Sequence, residues 1–194
     1  GTLFDGDAAP DTSETFSYMS STLTATVITR DDTAMDGVTI TASDNSHTTD
    51  SSGQLSFEVS NGSDVVMDAS FAIDDSATSA INSMDALQAL RIAVGLDTSN
   101  GPATYEDFIA ADIDGSGSVN SMDALNILKY AVGLDAPDPH WVFIDSAADH
   151  SAIKQTSVNY DTGVTLEDFS ADASVSLTGI LVGDIDDSYS GLIA

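Results

Sequence analysis

The chain has 194 residues, 42% of them hydrophobic, with 32 acidic side chains against 4 basic ones and a formal net charge of −28. That apolar share is enough to fold one large domain or two small ones. The charge excludes nucleic acid and anionic membrane surfaces as partners, because phosphates would be repelled. It suits cations, and a marine or halophilic medium whose salt screens self-repulsion. Cysteine is absent, which rules out disulfides and thiolate metal sites. Almost all the acid is aspartate, with glutamate only at Glu14, Glu58, Glu106 and Glu167. Aspartate favours turns and cation-binding loops over long helices. No apolar run reaches the length of a membrane-spanning helix. A start at Gly1 without methionine or signal peptide is read as a piece excised from a longer secreted or cell-surface protein.

From about Thr15 to Phe71 the pattern predicts short strands. Leu23–Ile28, Val38–Ile40 and Gln54–Val59 alternate apolar with polar or small residues, and Val65–Met67 follows an Asn61-Gly62 turn. Asp36-Gly37 and Ser52-Gly53 mark further turns. The expectation is a β-sandwich over residues 1–72. The order of a Gly-Val-Thr-Ile strand, then Thr-Asp-Ser-Ser-Gly-Gln-Leu-Ser-Phe, then Val-Ser-Asn-Gly resembles carboxypeptidase-regulatory-like or transthyretin-like sandwich modules.

Over residues 73–136 the period becomes helical. Asn82-Ser83-Met84-Asp85-Ala86-Leu87 recurs as Asn120-Ser121-Met122-Asp123-Ala124-Leu125, a shift of 123 − 85 = 38 residues. Met84, Leu87, Leu90 and Val94 follow helical spacing, as do Met122, Leu125, Leu128 and Val132. Gly95 and Gly133 stand where helix C-terminal caps belong. Tyr105–Ala110 is a third helical stretch, after the Asn100-Gly101-Pro102 breaker. Residues 137–194 return to strands, at Trp141–Ile144 and Val175–Val182. Too small to stand alone, they are expected to complete the sandwich or to cover the helices. The class is α+β.

Oxygen-bearing side chains at alternate positions precede the second repeat. With Asp112 as position 1 of a twelve-residue loop, Asp114 is 3, Ser116 is 5, Gly117 is 6, Ser118 is 7, Asn120 is 9 and Asp123 is 12. A calcium loop needs oxygens at 1, 3 and 5, a backbone carbonyl at 7, a ligand or bridging water at 9 and a carboxylate at 12. It also needs glycine where the backbone turns with positive φ. Every slot is filled. In the first copy the same register places Asp74 at 1, Ser76 at 3, Thr78 at 5, Ser79 at 6, Asn82 at 9 and Asp85 at 12. That loop has two carboxylates and no glycine, so its expected calcium site is impaired. Asp75, or a carboxylate from elsewhere, is needed to complete it. Asp184 and Asp186 of Gly183-Asp-Ile-Asp-Asp-Ser188 are the candidate donors.

Loop–helix repeats with Asp at position 12, Asn at 9 and a following Ala-Leu-x-x-Leu run resemble dockerin modules. The resemblance implies two repeats packed about a pseudo-twofold axis, one Ca2+ per complete loop, and docking onto a cohesin domain. It also implies a contact face around Ser83, Met84 and Arg91 and their equivalents Ser121, Met122 and Lys129. Here Met stands where a small polar residue is usual. The two cations can equally be read as compensating helix C-termini. Gly183–Ser188 resembles endings that follow dockerin-like segments in large bacterial surface proteins. That link implies a composite unit rather than an appended tag.

His47, His140 and His150 are scattered and fit no zinc or nucleophile motif. The chain is therefore expected to be no enzyme. Asp5-Gly-Asp7 is read as a solvated terminus. Asp138-Pro139-His140 is read as a rigid linker rather than a self-cleaving site. Trp141 with Tyr130 is weighed as a sugar-stacking platform against burial in a core. The expected function is a calcium-stabilised structural or adhesive module, with one Ca2+ at Asp112–Asp123; the first copy is read either as a weaker second Ca2+ site or as a degenerate loop kept for packing. The alternative is a dockerin proper that assembles a surface or multi-enzyme complex. Partners are neighbouring domains of the same chain, a cohesin-like protein, or a carbohydrate.

Overall fold

Alternation in the β1 strand, Ser20–Thr29, sends Leu23, Ala25 and Val27 inward and their polar neighbours outward. The computed structural model describes residues 19–43 and 45–189; Asp5-Gly-Asp7 and the first residues of the expected sandwich lie outside them. β2 (Thr39–Ala42), β3 (Asn45–Thr48), β4 (Gln54–Ser60) and β5 (Ser63–Ser70) follow, joined by short turns. Four helices come next: α1 (Asp75–Ala80), α2 (Ser83–Ala93), α3 (Tyr105–Ala111) and α4 (Ser121–Ala131). The chain then returns to strands β6 (Trp141–Asp145), β7 (Val164–Phe169) and β8 (Ala173–Leu181). The class is α+β, with two small, mostly antiparallel sheets and four helices among the described residues.

The strands after residue 137 enter both sheets. One sheet has the order β4-β1-β8-β6 and the other β3-β2-β5-β7. Among the described strands only β1 and β8 form a parallel pair, from Leu23 opposite Ala173 to Thr29 opposite Gly179. Such a pairing needs a long crossover, and the whole helical segment lies within it.

β6 and β8 serve two cores because successive side chains point to opposite faces. Phe143 and Leu177 join Leu23, Val27, Met35, Ile40 and Met67 between the sheets. Val142, Ile144 and Ile180 face the other way, onto Ala89, Ile92, Ile109 and Ile127 of the helices. Gly179 is the point of tightest approach in β8: a Cβ there would stand 2.6 Å from Met35 Sδ and 3.0 Å from Phe143 Cε1. The C-terminal strands thus join both sheets and pack against the helices at once. The strands β3 and β7 and the helix α1 are not among the elements expected from the sequence, since none carries a strong period of its own.

α2 and α4 begin and end alike. Asn82 and Asn120 cap the N-termini, each accepting from the amide two residues on at 2.8 Å. Asp85 and Asp123 close capping boxes by accepting from the cap amides at 2.9 Å. At the far ends Gly95 and Gly133 take positive φ. The following amides of Leu96 and Leu134 bond back to the Arg91 and Lys129 carbonyls at 2.8 Å, a Schellman closure. Among the described residues no helix is long and apolar enough to cross a membrane.

Candidate metal centres

The loop between α3 and α4 folds around its own acids. Asp112 Oδ1 accepts from the Ser116 amide at 3.0 Å, and its Oδ2 accepts from the Gly117 amide at 2.9 Å. Gly117 has φ of 82°, the left-handed conformation for which position 6 requires glycine. The Ser118 carbonyl at position 7 points inward, accepting from Ser116 Oγ at 3.2 Å and Asn120 Nδ2 at 3.3 Å. Asp123 crosses from α4 to accept from the Asp114 amide at 3.5 Å. Asp112, Asp114 and Asp123 each bring a carboxylate oxygen within 4.8 Å of the others. Oxygens held at about 2.4 Å on opposite sides of one cation stand about that far apart.

The first copy is built differently from the expected Asp74–Asp85 loop. Residues 75–80 are helical, and Asp74 caps that helix by accepting from the Ala77 amide at 2.9 Å. Ser76 and Thr78 lie inside α1, where the Thr78 hydroxyl bonds back to the Asp74 carbonyl. With Ser79 in place of a position-6 glycine, the segment winds into a helical turn instead of a cradle. Asp74, Ser76 and Thr78 are therefore not grouped with Asp85.

Their places are taken by the C-terminal segment. Asp85, Asp184 and Asp186 place carboxylate oxygens within 4.8 Å of one another, across 184 − 85 = 99 residues of chain. The bonds repeat those of the other loop. Asp184 Oδ1 accepts from the Ser188 amide at 3.0 Å, and Oδ2 from the Tyr189 amide at 2.9 Å. Asp85 Oδ1 accepts from the Asp186 amide at 3.2 Å. The Ala80 carbonyl accepts from Ser188 Oγ at 3.2 Å and Asn82 Nδ2 at 2.7 Å. Asp187 has φ of 58°, as Gly115 has 64° at the same step of the other loop. Positions 1, 3, 5 and 6 are thus Asp184, Asp186, Ser188 and Tyr189; positions 7, 9 and 12 are Ala80, Asn82 and Asp85. The loop is split, its front half carried at the end of β8.

Both centres are rich in charge and poor in counter-charge. Asp85 and Asp123 are 0% exposed and Asp184 1%. Burial, reinforced by the neighbouring Asp186 and Asp184, pushes the Asp85 carboxyl up to about 7. Burial raises Asp123 and Asp184 to about 6, and moves Asp112 in the same direction. Asp186 Oδ1 is buried without a hydrogen-bond partner. Among the described residues the one ion pair joins Arg30 to Asp107. Arg30 also donates to the Asp184 and Ile185 carbonyls at 3.3 and 3.2 Å, not to their site's carboxylates. Buried like charges with an orphaned oxygen form an all-oxygen donor set suited to a hard divalent cation.

The faces of α2 and α4 turned from these cores are apolar. Met84, Leu87, Leu90 and Val94, with Met122, Leu125, Leu128 and Val132, are each 41–63% exposed. The buried face carries Ala86, Ala89, Gln88 and Ile92 and their counterparts Ala124, Ile127 and Asn126. A groove of about 370 Å³ runs between the helices, lined by Ser83, Ala86, Leu87 and Leu90 and their four equivalents. Ser121 and Met122 are exposed like Ser83 and Met84, while Arg91 and Lys129 are half-buried. Arg91 Nε donates to the Asp97 carbonyl at 2.6 Å.

Comparison with protein-family models, curated proteins and solved structures yields no match.

The remaining candidates disperse. His47 stacks on Phe57 and His150 on Tyr105, at 4.7 and 4.6 Å, while His140 contacts the Asp138 carbonyl. Trp141 lies against Phe71, Phe143 and Tyr189, whereas the Tyr130 hydroxyl reaches Thr78. The positions of Ser188 and the Ala80 carbonyl at this centre escape a contiguous reading. Their signal is the match of Asp184-Ile-Asp-Asp-Ser188 to Asp112-Ile-Asp-Gly-Ser116 at all but one position.

Proposed function

We propose that this protein is a calcium-stabilised, non-catalytic module of a secreted or cell-surface protein. Two Ca2+ ions clamp a dockerin-like helix pair onto a β-sandwich. The observation that carries this reading is the repeated carboxylate constellation at the start of α2 and α4, with its buried acids and all-oxygen donors. Asp112, Asp114, Ser116, the Ser118 carbonyl and Asp123 would hold one ion. Asp184, Asp186, Ser188, the Ala80 carbonyl and Asp85 would hold the other. Calcium favours the folded state because the unfolded chain lacks both cages. The thermal midpoint should rise by roughly 5 °C or more when millimolar calcium replaces chelator. An unchanged midpoint in a calorimetric or circular-dichroism melt would end the reading.

The exposed apolar face supports a second, compatible role as a docking module for a cohesin-like protein. Soluble proteins seldom leave so many large aliphatic side chains together in water without a partner. The face is duplicated about the helix pair, with one cation, Arg91 or Lys129, at matching places. Leu87→Asp combined with Leu125→Asp should abolish capture by cohesin domains, with the calcium-loaded midpoint moving by less than about 2 °C, since both side chains are solvent-facing. Unimpaired capture by the double variant would remove this face from the docking surface.

A further inference from the structure

The two centres differ in what their ions would tie together. Asp112 and Asp123 lie 123 − 112 = 11 residues apart on one continuous loop. Asp85 and Asp184 belong to distant parts of the chain, so a cation between them is a tertiary link. The inner end of the C-terminal segment has other anchors: the Gly183 amide bonds the Ala110 carbonyl at 2.8 Å, and Arg30 holds the next two carbonyls. Gly183 also lies against Ile81, whose Cδ1 would stand 2.9 Å from a Cβ there. The outer end depends on the centre itself. The Asp186 amide bonds Asp85, and the Ser188 and Tyr189 amides bond Asp184. Past the centre the Tyr189 ring packs edge-on against Trp141 at 5.3 Å, and its hydroxyl lies 3.5 Å from Asp74 Oδ1. Among the described residues no basic side chain bonds the carboxylates of Asp85, Asp184 or Asp186. Mutual repulsion therefore opposes this seating unless a cation neutralises it.

We propose that Asp184–Tyr189 is a cation-operated strap: an ion at Asp85, Asp184 and Asp186 seats it across the α1–α2 corner and places Tyr189 on Trp141, and loss of the ion releases it. The proposal rests on the two-site calcium reading above. The strap joins the end of β8 to the first turn of α2, so the ion adds a link between sheet and helix beside the apolar packing of Val142, Ile144 and Ile180.

Trp141 is the single tryptophan of the chain and reports directly on the strap. The full chain is titrated with calcium chloride while ion stoichiometry is measured by calorimetry, Trp141 emission by fluorescence, and amide exchange of residues 185–189 by mass spectrometry. Wild type should bind two ions. Trp141 emission should shift, and the strap amides should slow by up to about 100-fold at calcium 100 times the dissociation constant. Asp186→Asn should bind one ion and lose both responses. Asp112→Asn should also bind one ion but keep them. Two ions in wild type, with Trp141 emission and strap exchange indifferent to calcium, would overturn the strap alone. No bound ion in wild type, or two in Asp186→Asn, would overturn the two-site reading with it. If Asp186→Asn does not fold, wild-type exchange with and without chelator decides the strap.

Discussion

Asp186→Asn is expected to lower the melting temperature in calcium and raise it in chelator. Its Oδ1 makes no hydrogen bond, so the amide sacrifices no internal partner there; what changes is one negative charge among three clustered acids. With calcium at about 1,000 times the dissociation constant, an intact site adds about 4 kcal/mol to folding. At about 2–4 °C per kcal/mol for a chain of this size, losing most of that lowers the midpoint by roughly 5–15 °C. Without calcium the same substitution relieves repulsion beside two almost fully buried carboxylates, worth roughly 1–3 kcal/mol. Thermal melts of both proteins in the two buffers read the crossing directly. A variant less stable than wild type in both would mean that Asp186 supports the fold by some means other than a cation.

The second large effect is a dependence on pH that reverses with calcium. Burial lifts the folded-state carboxyl of Asp85 to about 7, above the ordinary aspartate value of 3.8. Between those values the folded, metal-free chain binds more protons than the unfolded one. Metal-free stability is therefore greatest at the acid end of the window and is lost as pH rises through about 7. From pH 5 to pH 8 the loss from Asp85 is on the order of 2–3 kcal/mol. Calcium requires the ionised form, so its apparent affinity runs the other way. At pH 5 a carboxyl with a pKa of about 7 is ionised in about one molecule in a hundred, so affinity at the split centre should fall on the order of 100-fold from its value at pH 8. The contiguous centre, whose Asp123 is raised to about 6, should lose about tenfold. Calorimetric titrations at the two pH values should therefore show the split centre weakening first. Equal weakening of both, or none, would contradict the burial argument.

Much of the architecture was legible because it is written in local periods. The two-residue alternation of Leu23–Ile28 and Gln54–Val59 lies within β1 and β4. The matched helices α2 and α4 occupy the repeated stretches, down to their Gly95 and Gly133 closures, whereas Asn82 and Asn120, read as loop position 9, cap the helices. The Asp112–Asp123 oxygens were legible too, since a contiguous loop keeps its donors in order along the chain. The same periodicity did not say which face of a helix meets the core. Leu87 and Leu125 follow a helical apolar stripe yet face solvent, while Ala86, Ala89 and Gln88 turn inward.

The sequence by itself determined β1, β2, β4, β5, β6 and β8, the paired helices, the acidic composition and one complete set of candidate cation ligands, because each depends on residues within a dozen positions of one another. Only the tertiary structure decided that β6 and β8 serve two cores, that residues 75–80 form a helix, and that Asp85 meets Asp184 and Asp186 instead of Asp74. Those outcomes depend on the parallel pairing of β1 with β8 and on the Gly183 turn against Ile81. Such contacts join residues about a hundred positions or more apart, and their energies come from burial and charge in three dimensions rather than from any local pattern.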